Sequence, residues 1–213
     1  MATAPGFSDA RRAAHAAATA ALARGEGLAG ATRAVVAATD AIFDQARIAL
    51  DLDPMLARMA CAAGCSWCCH QIVGVTMAEL ALLTETIAAM PPDRQARIKA
   101  RAADAMATGR GMDQGQWWAA RIRCPLLEDD GLCGVHAERP LPCRAFNSAD
   151  ADLCRRSYLG EKLRTPVLAA QHGIWANAQA GLIQALTEAG IAAGPVALAE
   201  GIEAMGATSP SGP

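Results

Sequence analysis

The chain has 213 residues, enough to bury an ordinary core, so it does not need a metal merely to fold. It is rich in Ala with 4% aromatic residues, which favours helix, and its net charge of −2 excludes the basic field that nucleic acid requires. No apolar run approaches the roughly 18 residues of a membrane span, and eight Cys is well below the density of a disulfide scaffold.

Residues 8–24 and 28–50 read as two helices, with Ser8 as the N-cap of the first and Gly25 and Gly27 breaking the run. Arg11 and Arg12 precede an Ala-rich stretch that faintly resembles a signal peptide. Leu22 is its single strongly apolar residue and His15 interrupts it, so the expectation is a cytoplasmic protein with reduced thiols. In the second helix Val35, Val36, Ile42, Phe43, Ala46 and Leu50 form an apolar stripe. The pair reads as a helical hairpin over residues 1–54 that packs on the rest of the chain or offers a surface to a protein partner. Pro54 opens one or two further helical turns.

Ile72–Val75 is a short β-like run. Thr76 and Glu79 then have the spacing of a capping box, in which a hydroxyl caps the helix and a carboxylate reaches back. The helix they open carries Leu80, Leu83, Ile87 and Met90 on its core face and stops at Pro91-Pro92. Another helix runs from Asp93 to about Ala107, and residues 112–120, with Trp117-Trp118, read as a loop. Residues 121–154 are punctuated by Pro and Gly and cannot form one long helix; the turn Asp129-Asp130-Gly131 suggests a short hairpin. Thr165 with Pro166 marks the N-terminus of a long helix to about Ala189, with Ile174, Ala178, Leu182 and Leu186 on one face. A last short helix covers 195–205, and Gly206–Pro213 reads as a disordered tail.

The chemistry is concentrated in the cysteines. Cys61, Cys65, Cys68 and Cys69 fall within nine residues, and Cys124, Cys133, Cys143 and Cys154 follow at intervals of about ten. Thiolates are soft ligands that suit zinc, copper(I) and iron–sulfur clusters. The spacing Cys65-x-x-Cys68 lets two sulfurs reach one centre from a tight turn, and Gly64 permits an unusual backbone angle before it. Neighbouring side chains diverge in both strand and helix, so Cys68 and Cys69 do not easily serve one tetrahedral ion. Two centres, one multi-iron cluster, or a bystander thiol remain as alternatives. Structural zinc more usually has two Cys-x-x-Cys knuckles, and the second is missing here. His70 and His136 stand beside the thiols and read as polar neighbours rather than ligands. Arg139 and Arg144 are the cations expected to face an anionic centre. There is no nucleophile–base pair, nucleotide loop or cofactor fingerprint, so no catalytic residue is assigned.

The order Gly64-Cys65-Ser66-Trp67-Cys68-Cys69, Cys124-Pro125-Leu126-Leu127, Gly131-Leu132-Cys133-Gly134-Val135 and Arg139-Pro140-Leu141-Pro142-Cys143-Arg144 resembles a known bacterial family. These are the cysteine-cluster (CxxCxxCC) proteins, described as zinc- or iron-chelating or as containing iron–sulfur clusters. The resemblance covers roughly residues 61–155. It implies Cys61, Cys65, Cys68, Cys69, Cys124, Cys133 and Cys143 as metal ligands; Cys154 joins them as a candidate outside the shared pattern. His136 stands where Tyr is frequent in the family, and the first gap of three residues exceeds the commoner two. The spacing Cys61-x3-Cys65-x2-Cys68 also resembles the radical S-adenosylmethionine motif, but the alternating strands and helices of that barrel are missing.

The expectation is a mainly α protein with a small, irregular, hairpin-containing cysteine module. Residues 55–160 form the metal domain, with the helices of 161–205 packing on it. Its thiols hold an iron–sulfur cluster, of the 4Fe-4S type, in a redox or iron-handling component; the alternative is a non-catalytic zinc module that mediates protein–protein interaction.

Overall fold

Alanine sets the first layer of the computed structural model, which describes residues 4–207. In chain order the α-helices are α1 (Phe7–Ala23), α2 (Gly27–Ala49), α3 (Asp53–Leu56), α4 (Met77–Ala88), α5 (Pro92–Gly109), α6 (Gln114–Ala119), α7 (Leu141–Ala145), α8 (Ala151–Tyr158), α9 (Ala169–Glu188) and α10 (Leu198–Ala207). Two strands, β1 (Gly74–Val75) and β2 (Val196–Ala197), and two 3-10 turns, Trp67–His70 and His136–Glu138, complete the described elements. The chain is mainly α, as its composition implies.

On α1, Ala10, Ala14, Ala18 and Ala21 are fully buried at spacings of three and four. Side chains this small let α1 lie close against both α2 and α9. A tight backbone approach is at Gly181 of α9, where a Cβ would run into the main-chain oxygen of Arg11. A backbone oxygen cannot swing aside as a flexible side chain can. Gly181→Ala is therefore expected to destabilise the fold by about 1–3 kcal/mol through overpacking, read as a lowered midpoint in denaturant. Thr39 is buried on α2 without cost because its hydroxyl donates to the Val35 carbonyl at 2.7 Å.

A second core lies between α4, α5 and α10, where Leu80, Leu83, Ile87, Ile98, Leu198 and Ile202 are buried together. Leu126 and Val135 of the irregular segment belong to it, and Cys124 and Cys133 pack against it. The Pro-rich stretch is thus anchored by its own apolar residues, which leaves its thiols at the edge of a hydrophobic core.

Several elements differ from expectation for local reasons. The cap of α1 is Gly6, whose N–H donates to Asp9 Oδ2 at 2.7 Å, so Ser8 lies inside the helix. The α2 stripe ends before Leu50, which is 50% exposed. Trp117 and Trp118 lie on α6 rather than in a loop, because Asp113 and Gln116 form a capping box. Helix α9 starts at Ala169, not Thr165; the Asn147 side chain accepts from Leu168 N at 2.7 Å and holds Leu168 extended as the cap. Val196 and Ala197 are not helical but pair antiparallel with Val75 and Gly74. The suggested hairpin is reduced to a single bridge between Leu127 and Cys133 around its turn. At the C-terminus α10 continues through Ala207, beyond the expected start of the tail at Gly206, and residues 208–213 lie outside the described residues. No helix among the described residues is long and apolar enough to cross a membrane.

Candidate metal centre

Cys61 and Cys65 lie on the irregular segment after α3. Gly64 adopts a left-handed φ of 85°, and Cys65 N donates to the Ala62 carbonyl at 3.0 Å, closing a turn that brings the two cysteines round. This loop is tied to the segment before α8 at two points. Ala60 N donates to the Ser148 carbonyl at 2.9 Å, and Ser148 N donates to Cys61 Sγ at 3.2 Å. Cys68 and Cys69 follow in the 3-10 turn. The second group reaches them through the backbone, where Cys124 N donates to the Cys69 carbonyl at 2.8 Å. Cys133 stands in the bridge with Leu127, Cys143 on α7 and Cys154 on α8. Segments far apart in sequence therefore converge.

The electrostatics of the thiols report the same convergence. Burial comes first in pushing up the thiols of Cys61, Cys124 and Cys143, and neighbouring cysteines add to it: Cys68 for Cys61, Cys133 and then Cys68 for Cys124, Cys124 and then Cys68 for Cys143; Cys124 is raised to about 12. Cys65 and Cys133 are raised in the same way, and Cys68 is again among the causes. Cys68 itself is raised by a hydrogen bond with the Cys69 side chain and then by burial. Cys68 is thus within electrostatic reach of thiols from both sequence groups. Cys154 belongs to one side of the cluster, since it raises Cys61 and Cys65. All eight cysteines are free thiols.

One cation works against this accumulation of negative charge. Arg139 lowers the thiols of Cys61, Cys68 and Cys133, and its buried Nε has no hydrogen-bond partner among the described residues. Its Nη1 meets His136 Nε2 at 2.7 Å, which turns that imidazole towards the guanidinium and lowers its pKa. Arg144 behaves differently. It bonds the carbonyls of Arg139 and Ala137 and lies over the Trp175 ring, so it also braces the loop, with Cys143 among the groups that act on its charge. His70 packs on Tyr158 with ring centres 4.6 Å apart, and burial lowers its pKa.

The frame that holds the thiols contains residues that the sequence pattern did not single out. Tyr158 packs against Trp67, His70 and Trp118, which fastens the 3-10 turn to α6 and α8. Glu128, at 18% side-chain exposure, is gripped by Arg94 and Arg101 of α5, and Arg101 also donates to the Pro125 carbonyl at 2.8 Å. These bonds pin the segment between Cys124 and Cys133. Glu79 is 1% exposed, and burial raises its pKa. One of its oxygens accepts from Leu141 N at 2.9 Å, and the other accepts from Thr76 N and Gln179 Nε2. It therefore fixes the start of α7, and with it Cys143, against α4 and α9. Glu79→Ala leaves these buried donors unpaired and is expected to cost roughly 2–4 kcal/mol in a denaturant titration.

The donor set fits a thiophilic metal. It is all sulfur and partly desolvated, and it has an unpaired buried guanidinium N–H nearby that favours the deprotonated form a metal requires. The geometry is not closed in advance: among the described residues, no three Cys, His, Asp or Glu side chains stand where they already enclose an ion. Rotation of cysteine side chains between rotamers is needed to complete a coordination shell.

Residues 60–165 match a family described as CxxCxxCC, "putative zinc- or iron-chelating domain". No curated protein and no solved structure matches the chain.

Proposed function

The chain belongs to the CxxCxxCC family, so its cysteine module is a metal-binding one, and we propose that it holds the metal as an iron–sulfur cluster through clustered thiolates. The observation that carries this reading is the position of Cys68. It sits in the 3-10 turn whose Cys69 carbonyl accepts from Cys124 N at 2.8 Å, after the loop whose Cys61 Sγ accepts from Ser148 N at 3.2 Å, and the raised thiols of Cys61, Cys65, Cys124, Cys133 and Cys143 all include it among their causes. A structural zinc ion takes about four ligands in a closed tetrahedron, and so many thiols around one hub exceed that need. A polynuclear cluster also takes about four Cys, but it binds them at different irons, so it reaches thiols set further apart and tolerates the diverging pair Cys68-Cys69. Cys61, Cys65, Cys68, Cys69, Cys124, Cys133, Cys143 and Cys154 are the proposed ligand pool, with Arg139 offsetting their charge. The module then serves a redox or iron-handling role, since such a cluster changes charge within a sulfur-rich, partly desolvated setting.

Anaerobic purification tests this. A brown protein with a broad absorption band near 400 nm, bleached by dithionite, with iron and acid-labile sulfide in equal amounts, is the expected result. A colourless protein with stoichiometric zinc and no sulfide would instead assign the module to the structural zinc class.

A further inference from the structure

A cavity of about 320 Å³ opens beside the cysteines, and the reading above uses only Cys68 and Cys154 of its wall. Its size is at the lower end of the roughly 300–1,000 Å³ found for small-ligand sites. Trp67, Trp118 and Phe146 supply aromatic surface, while Gln71 and Gln114 contribute amides. Cys68 and Cys154 form part of the same wall. No Asp, Glu, Lys, Arg or His of the described residues lines it.

The aromatic walls are held in place from behind. Trp118 Nε1 donates to the Ser157 carbonyl at 3.3 Å, and its ring meets Tyr158 edge-on. Trp67 packs on the other side of the same environment, with its ring centre 5.3 Å from that of Tyr158. Rings restrained in this way lose little freedom when a ligand arrives. Aromatic walls favour a flat ring, two amides suit a carbonyl or ring nitrogen, and the lack of charged side chains disfavours an ion.

We propose that this cavity binds a neutral, planar, carbonyl-bearing molecule of one or two fused rings, stacked on Trp67 and Trp118 with one edge towards Cys68. Its placement beside a metal centre rests on the reading above; the binding itself rests on the cavity. A ligand seated there touches Cys68 directly and so communicates with the thiol that couples both cysteine groups.

Coumarin, a neutral fused-ring lactone, is the probe, and coumarin-3-carboxylate is its charged counterpart. Calorimetric titration of the full chain as purified is expected to show saturable one-to-one binding of coumarin and much weaker binding of the carboxylate. Trp118→Ala is expected to weaken coumarin by roughly tenfold or more. Gln114→Trp, a bulky change at an exposed residue of the wall, should abolish binding while leaving the helical circular dichroism unchanged. No saturable binding, affinity unchanged in both variants, or equal affinity for the carboxylate would overturn the proposal. Metal content measured on the same samples separates the two readings. Metal without coumarin binding defeats the cavity alone, and coumarin binding without metal defeats the metal centre alone.

Discussion

Cys68→Ala is expected to strip the protein of its metal. Cys68 is the thiol coupled to cysteines of both sequence groups, and it sits in the 3-10 turn whose neighbour Cys69 bonds the second group through its carbonyl. Removing it takes away the sulfur that the two groups share. Loss of even an outer-shell partner costs roughly 10–100-fold in metal affinity, so loss of the proposed central ligand should cost about a hundredfold or more. Metal per chain, measured after passage over a competing chelator, should fall to background. Cys154→Ala is the informative comparison. Cys154 lies on α8, outside the shared motif order, and adds to the raised thiols of Cys61 and Cys65, so its loss should leave part of the metal bound. The fold itself should survive both changes, because the buried helical layers do not depend on either sulfur.

Removal of the metal by a chelator is expected to lower Tm by about 10 °C while keeping most of the helical signal. A ligand present at about a thousand times its Kd stabilises by about 4 kcal/mol, and each kcal/mol moves Tm by roughly 2–4 °C in a domain of this size. The layers built from α1, α2 and α9 and from α4, α5 and α10 have their own cores, which include Leu126, Val135 and Leu141, so loosening should concentrate in residues 57–71. Faster amide exchange at Cys124, whose N–H bonds the Cys69 carbonyl, is the local readout. The pH dependence has a definite sign. Burial raises the folded-state thiols of Cys61, Cys124, Cys133 and Cys143, so the metal-free fold holds those protons more tightly than the unfolded chain does. That contribution is fully present below the ordinary thiol range and is lost as pH rises through the raised values. The metal-free protein should therefore weaken in alkali. Metal binding displaces the same protons, so acid should promote release of the metal.

Helices with strong periodicity and clear caps were legible in the residues alone. Thr76 and Glu79 predict the start of α4, and Leu80, Leu83 and Ile87 its buried face. What the residues hid was tertiary. Glu79 reads as an ordinary capping carboxylate, and nothing local says that it also takes the Leu141 N–H from a segment 62 positions away. Thr165-Pro166 is a sound start signal, but the distant Asn147 side chain moves the start of α9. Val196 and Ala197 have no strand pattern of their own; they pair only because β1 offers an edge. By contrast, the Asp113-x-x-Gln116 spacing was available and would have placed Trp117 and Trp118 on a helix.

The candidate site divides in the same way. Clustered thiols announce a soft-metal site by composition, and the order of the motifs points to the family. Which thiol lies at the hub depends on backbone bonds between remote loops, such as Cys124 to Cys69 and Ala60 to Ser148. Arg139 and Arg144 look equivalent in sequence, but Arg139 acts on the thiols of both groups, while Arg144 is engaged with carbonyls and the Trp175 ring. Tyr158, the sole tyrosine, gave no signal until its three aromatic neighbours were seen around it.

X-ray absorption at the metal edge of the anaerobically purified protein bears most directly on the convergence of these sulfurs. The expected spectrum is an iron edge with a first shell of sulfur and a second shell of iron, both lost in Cys68→Ala. A first shell of nitrogen and oxygen, or a sulfur shell that survives in Cys68→Ala, would contradict it.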